Sequence, residues 1–553
     1  MRKKMDILDV ELFRNIMGTV LDEIETNVTR TAYSPLIYEY KDYTLGMLSA
    51  DYELMAQSRM GLPGFLADLK YPVRDAVEVL GINSLEPGDV FITNYAAVQG
   101  QHLNNVVAAS PIFYKDELMA FIAIRVHWTD VGGLQLGSMS WHGRDIFQEG
   151  TQYRGLRVVK NGNLVPEVIA TILANTRMEE AVRGDLMSQI GGCMLACRRW
   201  EERIVSKWDA SEVKELWKLQ RKQSTEFARR RIKALPNGIY QAECLMDDAG
   251  EAGTDPLRLK IKVIIEDSKI VMDYTELPPQ VPAPINCGAT GGAINTARIA
   301  YKILVAPDYP TDEGLFVPLE VKLKEGTLMT ARKGAPMAKW NVAHVVMPDL
   351  ILRAIGETWP KLVPAGLHDT IGVFEFTGKD KDGKYWYFLD TAAGGWGGST
   401  FGDGFSQLKT ISHGDNFDIP VEILEARYPL RVLKYGFVPN SAGQGTYRGG
   451  FGVEKIIETT EDVFLSTSMN RTIDPPWGLS GGKPGRAGCI EVQYPGDKNR
   501  ITTLRVSRMK LPKGSFVYIR SSGGGGWGPP ENRAEVAKAA DRLSGLIIDE
   551  PIS

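Results

Sequence analysis

Four dense glycine clusters dictate most of what the second half of this chain can become. Gly394-Gly-Trp-Gly-Gly398, Gly449-Gly-Phe-Gly452, Gly478-Leu-Ser-Gly-Gly482 and Gly523-Gly-Gly-Gly526 all fall after residue 370. Glycine lacks a Cβ, so it weakens helix and strand interiors and fits where the backbone turns sharply. Glycine-rich runs also invite a phosphate-loop reading, which the spacing refuses. G-x-x-x-x-G-K-[ST] needs Ser or Thr after the lysine, and here Pro484 follows Lys483. No cluster sits as G-x-G-x-x-G between a strand and a helix, and no fixed period relates them, as a propeller or solenoid would require. The clusters predict tight turns and bulges in a β-rich region.

Upstream the pattern is mixed. Ile7, Leu8, Leu12, Ile16, Met17, Val20, Leu21 and Ile24 recur near helical spacing, predicting an amphipathic helix over 7–31 that ends before Pro35. Strands are predicted at 44–49, 89–94 and 118–127, the last apolar enough to be buried on both faces. Residues 176–234, rich in Glu, Arg, Lys, Met and Leu, predict helix, and Pro236-Asn-Gly238 punctuates its end. Strands resume over 239–275. Further helices are predicted around 293–306, 349–357 and within Ala534–Leu546. The fold expected is α/β to α+β and multidomain. A mixed α/β part (1–236) carries the candidate site and a helical end, followed by an α+β part (237–370). A β- and glycine-rich part (371–530) and a C-terminal helix and tail (531–553) complete it.

Lys and Arg total 64 against 68 Asp and Glu, so the basic surplus of a nucleic-acid binder is missing. No stretch of about 18 apolar residues is present to cross a bilayer, and Asp6, Asp9 and Glu11 interrupt any apolar signal segment after the basic start Met1–Lys4. Five thinly spread cysteines, Cys193, Cys197, Cys244, Cys287 and Cys489, fit reduced thiols in the cytoplasm. Cys193 and Cys197 have no second Cys or His pair near them to complete a zinc site, so they read as small apolar residues on a packed helix.

Histidine is scarce, and three of the six, His102, His127 and His142, fall between 102 and 142. His102 follows a strand and a small-residue loop; His127 ends the apolar run and precedes Trp128-Thr-Asp130. Imidazoles at the ends of adjacent strands, near short oxygen side chains, suit a divalent metal. Asn105 reaches the same ion if its segment turns helically, and Asp42 adds a carboxylate at the start of an early strand. The spacing leaves two readings open, a metal site or a hydrogen-bonded polar core. Glu149 is a loop carboxylate suited to general acid–base work or to stabilising a turn. A nucleophilic triad has no support, since G-x-S-x-G is absent and no cysteine has a histidine nearby in sequence.

Several motifs then occur in a fixed order. They include Arg30-Thr-Ala-Tyr-Ser-Pro35 with Asp42, His102-Leu-Asn-Asn105, His127-Trp-Thr-Asp-Val-Gly-Gly133 and Phe147-Gln-Glu-Gly150. Leu173-Ala-Asn-Thr-Arg177, Pro282–Cys287, Pro420–Pro429 and Pro475–Gly482 follow. In these the chain resembles the hydantoinase B/oxoprolinase family, which also includes subunits of acetone and acetophenone carboxylases. The resemblance implies a B-type subunit of a two-component cytoplasmic enzyme. An ATP-binding A-type partner, using ATP and magnesium, activates a small cyclic amide by phosphorylation, and this chain hydrolyses the ring at a divalent metal, zinc or manganese. It implies metal positions at Asp42, His102, Asn105 and His127, with Asp130 and Glu149 as catalytic candidates, Asp130 orienting His127 or its loop. The carboxylase relatives imply a ketone substrate instead, and a degenerate site implies a non-catalytic scaffold. Asn105 stands where the family has aspartate, which removes one negative charge. Trp128 replaces a second histidine, and Trp340-Asn-Val-Ala-His344 replaces G-N-V-E-T-S. Trp128 and Trp141 either line an apolar pocket or pack in the core.

Overall fold

The amphipathic opening forms the helix Ile7–Thr31, started by Asp6, whose carboxylate accepts the N–H groups of Leu8 and Asp9. With the helix Glu179–Trp200 it covers one face of a seven-stranded, wholly antiparallel sheet. The strands are β1 (Tyr43–Ser49), β2 (Leu54–Gln57), β3 (Val90–Thr93), β4 (Asn105–Tyr114), β5 (Glu117–His127), β6 (Leu156–Lys160) and β7 (Asn163–Leu164), ordered β2-β1-β5-β4-β3-β6-β7. The computed structural model describes residues 5–250, 254–368, 370–414 and 416–548; the start Met1–Lys4 and the end of the tail, 549–553, lie outside the described residues.

β4 is the element the sequence concealed. Pro111 argues against a central strand, yet it sits beyond the end of β3, whose pairing covers only Val107 to Ala109, so no neighbour there needs its N–H. Asn105 therefore opens a strand and does not lie one helical turn after His102, as the spacing had allowed. Register does what the helix was expected to do. Asn105 pairs with His127, and Tyr43 with Val126. Asp42, one residue before β1, then falls beside His127, whose N–H donates to the Asp42 carbonyl at 3.1 Å. Asp42, His127 and Asn105 form one row across three strand ends.

The rest of the chain is mixed α and β, with several antiparallel sheets. The predicted helical region divides into Glu179–Trp200 and Ala210–Lys233, the second begun by an Asp209 capping box. A four-stranded sheet built on Gly238–Met246 and Leu257–Glu266 packs against the helix Val346–Gly356, which also touches the helix Asn295–Val305. Two further sheets form the C-terminal half. One contains Val373–Lys379 and Tyr385–Thr391, the other Val453–Thr459 and Phe516–Arg520, and Phe374, Phe388, Ile457 and Val517 share the core between them. Among the described residues no helix is long and apolar enough to cross a membrane.

Most of the glycine-cluster residues are not in turns; Leu479–Gly482 makes one, with the Gly482 N–H donating to Leu479 O at 3.0 Å. Of their members only Gly481, at φ +94°, adopts a left-handed conformation. The stretch Gly523–Gly526 runs instead through the middle of a bundle of extended segments. The N–H of Gly523 donates to Arg486 O at 3.2 Å, Gly524 to Gly450 O at 3.0 Å, Gly525 to Gly366 O at 2.9 Å, and Gly526 to Lys483 O at 2.8 Å. The donors rotate around three neighbours and return to the first after three residues, the period of a polyproline II chain. A Cβ at Gly524, Gly525 or Gly526 would overlap the backbone carbonyl of Trp396, Trp477 or Gln444. Glycine is required because backbones touch there.

Gly525→Ala is accordingly expected to destabilise the protein by about 3 kcal/mol or more, or to abolish soluble expression. Gly436→Ala, whose Cβ would meet nothing within 4 Å, is expected to stay within about 0.5 kcal/mol of the parent. Thermal denaturation of the two variants separates close approach from turn formation.

Candidate active site

Alternation along β5 sends Ile124 toward the helix Glu179–Trp200, where a Cβ on Gly192 would strike it, and sends Arg125 and His127 to the opposite face. There the row Asp42–His127–Asn105, with His102, borders a cavity of about 40 Å³, room for an ion and a couple of waters. Its walls come from three distant parts of the chain. Leu62 and Phe65 form one side, Trp340, Asn341 and His344 another, and Leu389, Thr391, Ser412 and His413 the third. The His102 ring stands edge-on to His127 at 4.9 Å and to Trp340 at 5.8 Å between centroids.

Four buried atoms on residues that line this space have no hydrogen-bond partner: Asp42 Oδ1, His102 Nδ1, Asn105 Oδ1 and His127 Nδ1. An unsatisfied buried polar atom costs about 1–3 kcal/mol, so four around one cavity mark a place built for something that accepts lone pairs. Asn105 is aimed there by a relay. Arg125 Nη1 donates to both Asp68 oxygens at 2.7 Å, Gln101 Nε2 donates to Asp68 at 3.2 Å, and Asn105 Nδ2 donates to Gln101 Oε1 at 2.9 Å. That leaves Asn105 Oδ1 for the cavity.

Burial sets the charge state of the row. It holds His102 well below its ordinary pKa, helped by the neighbouring His127, and brings His127 down to about 4. Burial also pushes Asp42 up to about 7, against the pull of Arg125. Neutral imidazoles present the lone pairs a metal needs. The residue types of this row thus suit a divalent ion in chemistry. Among the described residues, however, no three His, Cys, Asp or Glu side chains already close to coordinating distance.

Asp130 and Glu149 stand outside the cavity. Asp130 is fully buried and accepts from Gly137 N at 3.1 Å, from Arg177 N at 2.8 Å and from the Arg177 side chain, so it pins its own loop and touches no imidazole. Glu149 Oε1 accepts the N–H of Met337 at 2.7 Å, fixing the strap that carries Trp340, while Oε2 is unpartnered. Burial pushes Glu149 up to about 8, against the backbone N–H groups of Ala338 and Met337. Trp128 and Trp141 are core residues, bonded to Gln189 Oε1 at 2.9 Å and Thr467 O at 2.8 Å. His142 is exposed. His368 is engaged on both nitrogens, by Ser522 Oγ and Ala392 O.

Sequence reasoning missed His344 and His413 as site residues. His344 Nε2 meets Asn295 Oδ1 at 2.8 Å, and because Asn295 Nδ2 donates to Leu66 O, Nε2 carries the proton. Burial lowers both rings to about 3, with His413 adding to the effect on His344 and Lys409 to that on His413. The one available signal was the Trp340–His344 departure from the family pattern.

Comparison with known proteins agrees with this architecture. The family model described as hydantoinase B/oxoprolinase matches residues 6–530. A putative B subunit of the D-/L-hydantoinase from Pseudomonas sp. strain NS671 is 27% identical, over 99% of this chain and 94% of its own. The caprolactamase beta subunit of Pseudomonas jessenii is 23% identical, over 98% and 94%. The crystal structure of that ATP-dependent caprolactamase has a TM-score of 0.91 at 22% identity, covering 99% and 95%. Nucleotide-free acetone carboxylase has a TM-score of 0.86 at 18% identity, covering 98% and 78%.

Two outcomes follow from the geometry. Glu149 has a raised folded pKa, so its contribution to stability is complete below its ordinary value of 4.5 and is lost as pH climbs toward about 8. Glu149→Gln is expected to remove a slope of up to about 1.4 kcal/mol per pH unit in that window, read by denaturant titration across pH. Asn105→Asp sets a carboxylate oxygen against Gln101 Oε1. It is expected to destabilise the metal-free chain by about 1–3 kcal/mol and to respond more strongly than the parent to added Zn²⁺ or Mn²⁺ in thermal denaturation.

Proposed function

Because the chain belongs to the hydantoinase B/oxoprolinase family, we propose that it is the B-type component of a two-component, ATP-dependent enzyme that hydrolyses a phosphate-activated cyclic amide. The observation that carries this reading is the set of four buried, unpartnered donors on Asp42, His102, Asn105 and His127 around one cavity. These residues would hold a divalent ion, zinc or manganese by their nitrogen and oxygen donors. Such an ion supplies Lewis-acid polarisation of an oxygen and acidifies a bound water.

The chain's own residues prepare that chemistry. His102 and His127 stay neutral and available, Asp42 contributes the one carboxylate, and Asn105 a polarised amide oxygen. Trp340, Phe65 and Leu62 keep bulk water out. Asp130 and Glu149 act by position, one fixing the loop after His127 and the other the Trp340 strap. Activation of the ring by phosphorylation falls to an A-type partner, since no phosphate loop occurs in this sequence and the relatives carry the names of B and beta components.

The test is to purify the chain with its ATPase partner and follow ring opening of hydantoins, 5-oxoproline and lactams. Turnover is expected to require both chains and ATP, and ring opening by this chain without ATP overturns the scheme. His102→Ala and His127→Ala are expected to lose bound metal and about a hundredfold or more in kcat. ATP consumption that instead depends on bicarbonate and a ketone identifies a carboxylase subunit. A chain with no stoichiometric metal and with activity untouched by both substitutions is a scaffold.

A further inference from the structure

The helix Glu535–Leu543, near the end of the chain, is mounted inside out. Its one buried residue is Asp541, while its apolar side faces water. Val536 is 78% exposed and Leu543 92%, and Ala539 and Ala540 between them are exposed as well. A helix at a protein surface ordinarily turns such a stripe inward and its charges outward.

The inversion is held by a closed set of ion pairs. The Arg533 guanidinium donates to the two Asp403 oxygens at 2.7 and 2.8 Å and to Asp541 Oδ2 at 2.7 Å. Arg448 Nε donates to Asp541 Oδ1 at 2.9 Å, and the Arg448 backbone N–H to Asp403 Oδ1 at 3.0 Å. This latch ties the charged side of the helix to the body of the protein and leaves the apolar side without a neighbour. It also gathers the loop around Asp403, whose Phe401 is 96% exposed and whose Phe405 is exposed too. Large apolar side chains presented around one anchor mark an interaction surface.

The charges beside the stripe select the occupant. Glu535 and Arg542 are seven residues apart, so they flank the same edge of the stripe, one at each end. Glu535 touches Lys538 at 2.8 Å, a solvent-facing contact that exchanges readily. A second copy of the helix, laid face to face and antiparallel across a twofold axis, brings like edge to like edge. Each Glu535 then falls beside the other copy's Arg542. A parallel pair would set these charges on opposite sides, unmatched. Ala539 and Ala540 stand at the crossing, where small side chains let the two backbones approach closely. Nine residues span only about 14 Å, which falls short of the roughly 800 Å² per partner of a stable interface. Phe401 and Phe405 extend the patch beyond the helix.

We propose that two copies of this chain associate through this face, by an antiparallel pair of the helices Glu535–Leu543 flanked by the Phe401 loops. The inference is independent of the ring-opening reading.

Sedimentation of the full chain over a concentration series tests it. A reversible monomer–dimer equilibrium in the micromolar range is expected. Leu543→Glu, at an exposed position, should leave thermal denaturation unchanged and weaken association about a hundredfold. Glu535→Arg and Arg542→Glu should each weaken it about tenfold, because the symmetry sets like charges together twice. An equimolar mixture of these two variants should recover parental association, since both contacts again join opposite charges. A chain that stays monomeric throughout overturns the proposal, as does a dimer indifferent to Leu543→Glu or not rescued by the mixture. If Leu543→Glu instead releases the ATPase component from the two-component complex while the chain alone is monomeric, the face belongs to that component and the proposal fails.

Discussion

The candidate site hangs from one fully buried ion pair, Arg125 with Asp68. Taking both charges out of water carries a penalty of several kcal/mol per ion, and the surroundings offset it group by group. Both Asp68 oxygens accept from Arg125 Nη1, Nη2 donates to Gln99 Oε1 at 3.3 Å, and the guanidinium lies 4.8 Å from the centre of the Phe65 ring. Each of these partners is also part of the cavity's construction. Asp68 orients Gln101 and so Asn105; Phe65 is a wall. Arg125, two residues before His127 on the same face, supplies the positive charge that tempers Asp42. A neutral pair of similar volume would fill the space, but would leave the amide relay without its fixed end.

A second buried pair completes the frame. Lys339 and Glu375, both inaccessible, meet at 2.7 Å and tie the Trp340 strap to the strand Val373–Lys379. With Glu149 holding Met337 and the Cys287 thiol donating to Trp340 O at 3.3 Å, the strap is fixed from three sides. The cavity therefore owes its shape to packing between two sheets, a short helix and the loops between them rather than to any one local motif.

What the sequence made legible follows from how far each signal reaches. The helices Ile7–Thr31 and Asn295–Val305 announce themselves by periodicity, and β5 by an apolar run. His102, Asn105 and His127 were visible as candidates because one hairpin carries all three. Their actual relation, a rung across β1, β5 and β4, depended on register, which no spacing rule supplies, and Pro111 hid the strand that sets it. Trp340, His344 and His413 belong to the same cavity but lie more than 200 residues downstream, where only the Trp340–His344 departure from the family pattern hints at the first two and nothing marks His413. Asp130 and Glu149 were legible as loop carboxylates; that they bind backbone and arginine was not, because those partners come from folding. Apart from the turn at Leu479–Gly482, the glycine clusters were misread for the same reason. A missing Cβ signals either a sharp turn or a touching neighbour, and the neighbour of Gly525 is the Trp477 backbone.

The threefold glycine bundle also imposes an order on synthesis. Gly523–Gly526 is its central thread, and segments around Gly366, Trp396, Gly450 and Lys483 all bond to it. That thread is translated after every segment it joins, so the outer segments wait with their amide groups in water until it arrives. The seven-stranded sheet, complete by residue 164, can form long before. The wall containing Leu389, Thr391 and His413 belongs to the half that closes only after Gly526 has been made. The row Asp42–His127–Asn105 thus assembles early and open-sided, and the cavity becomes a cavity only once the glycine thread has joined the later half.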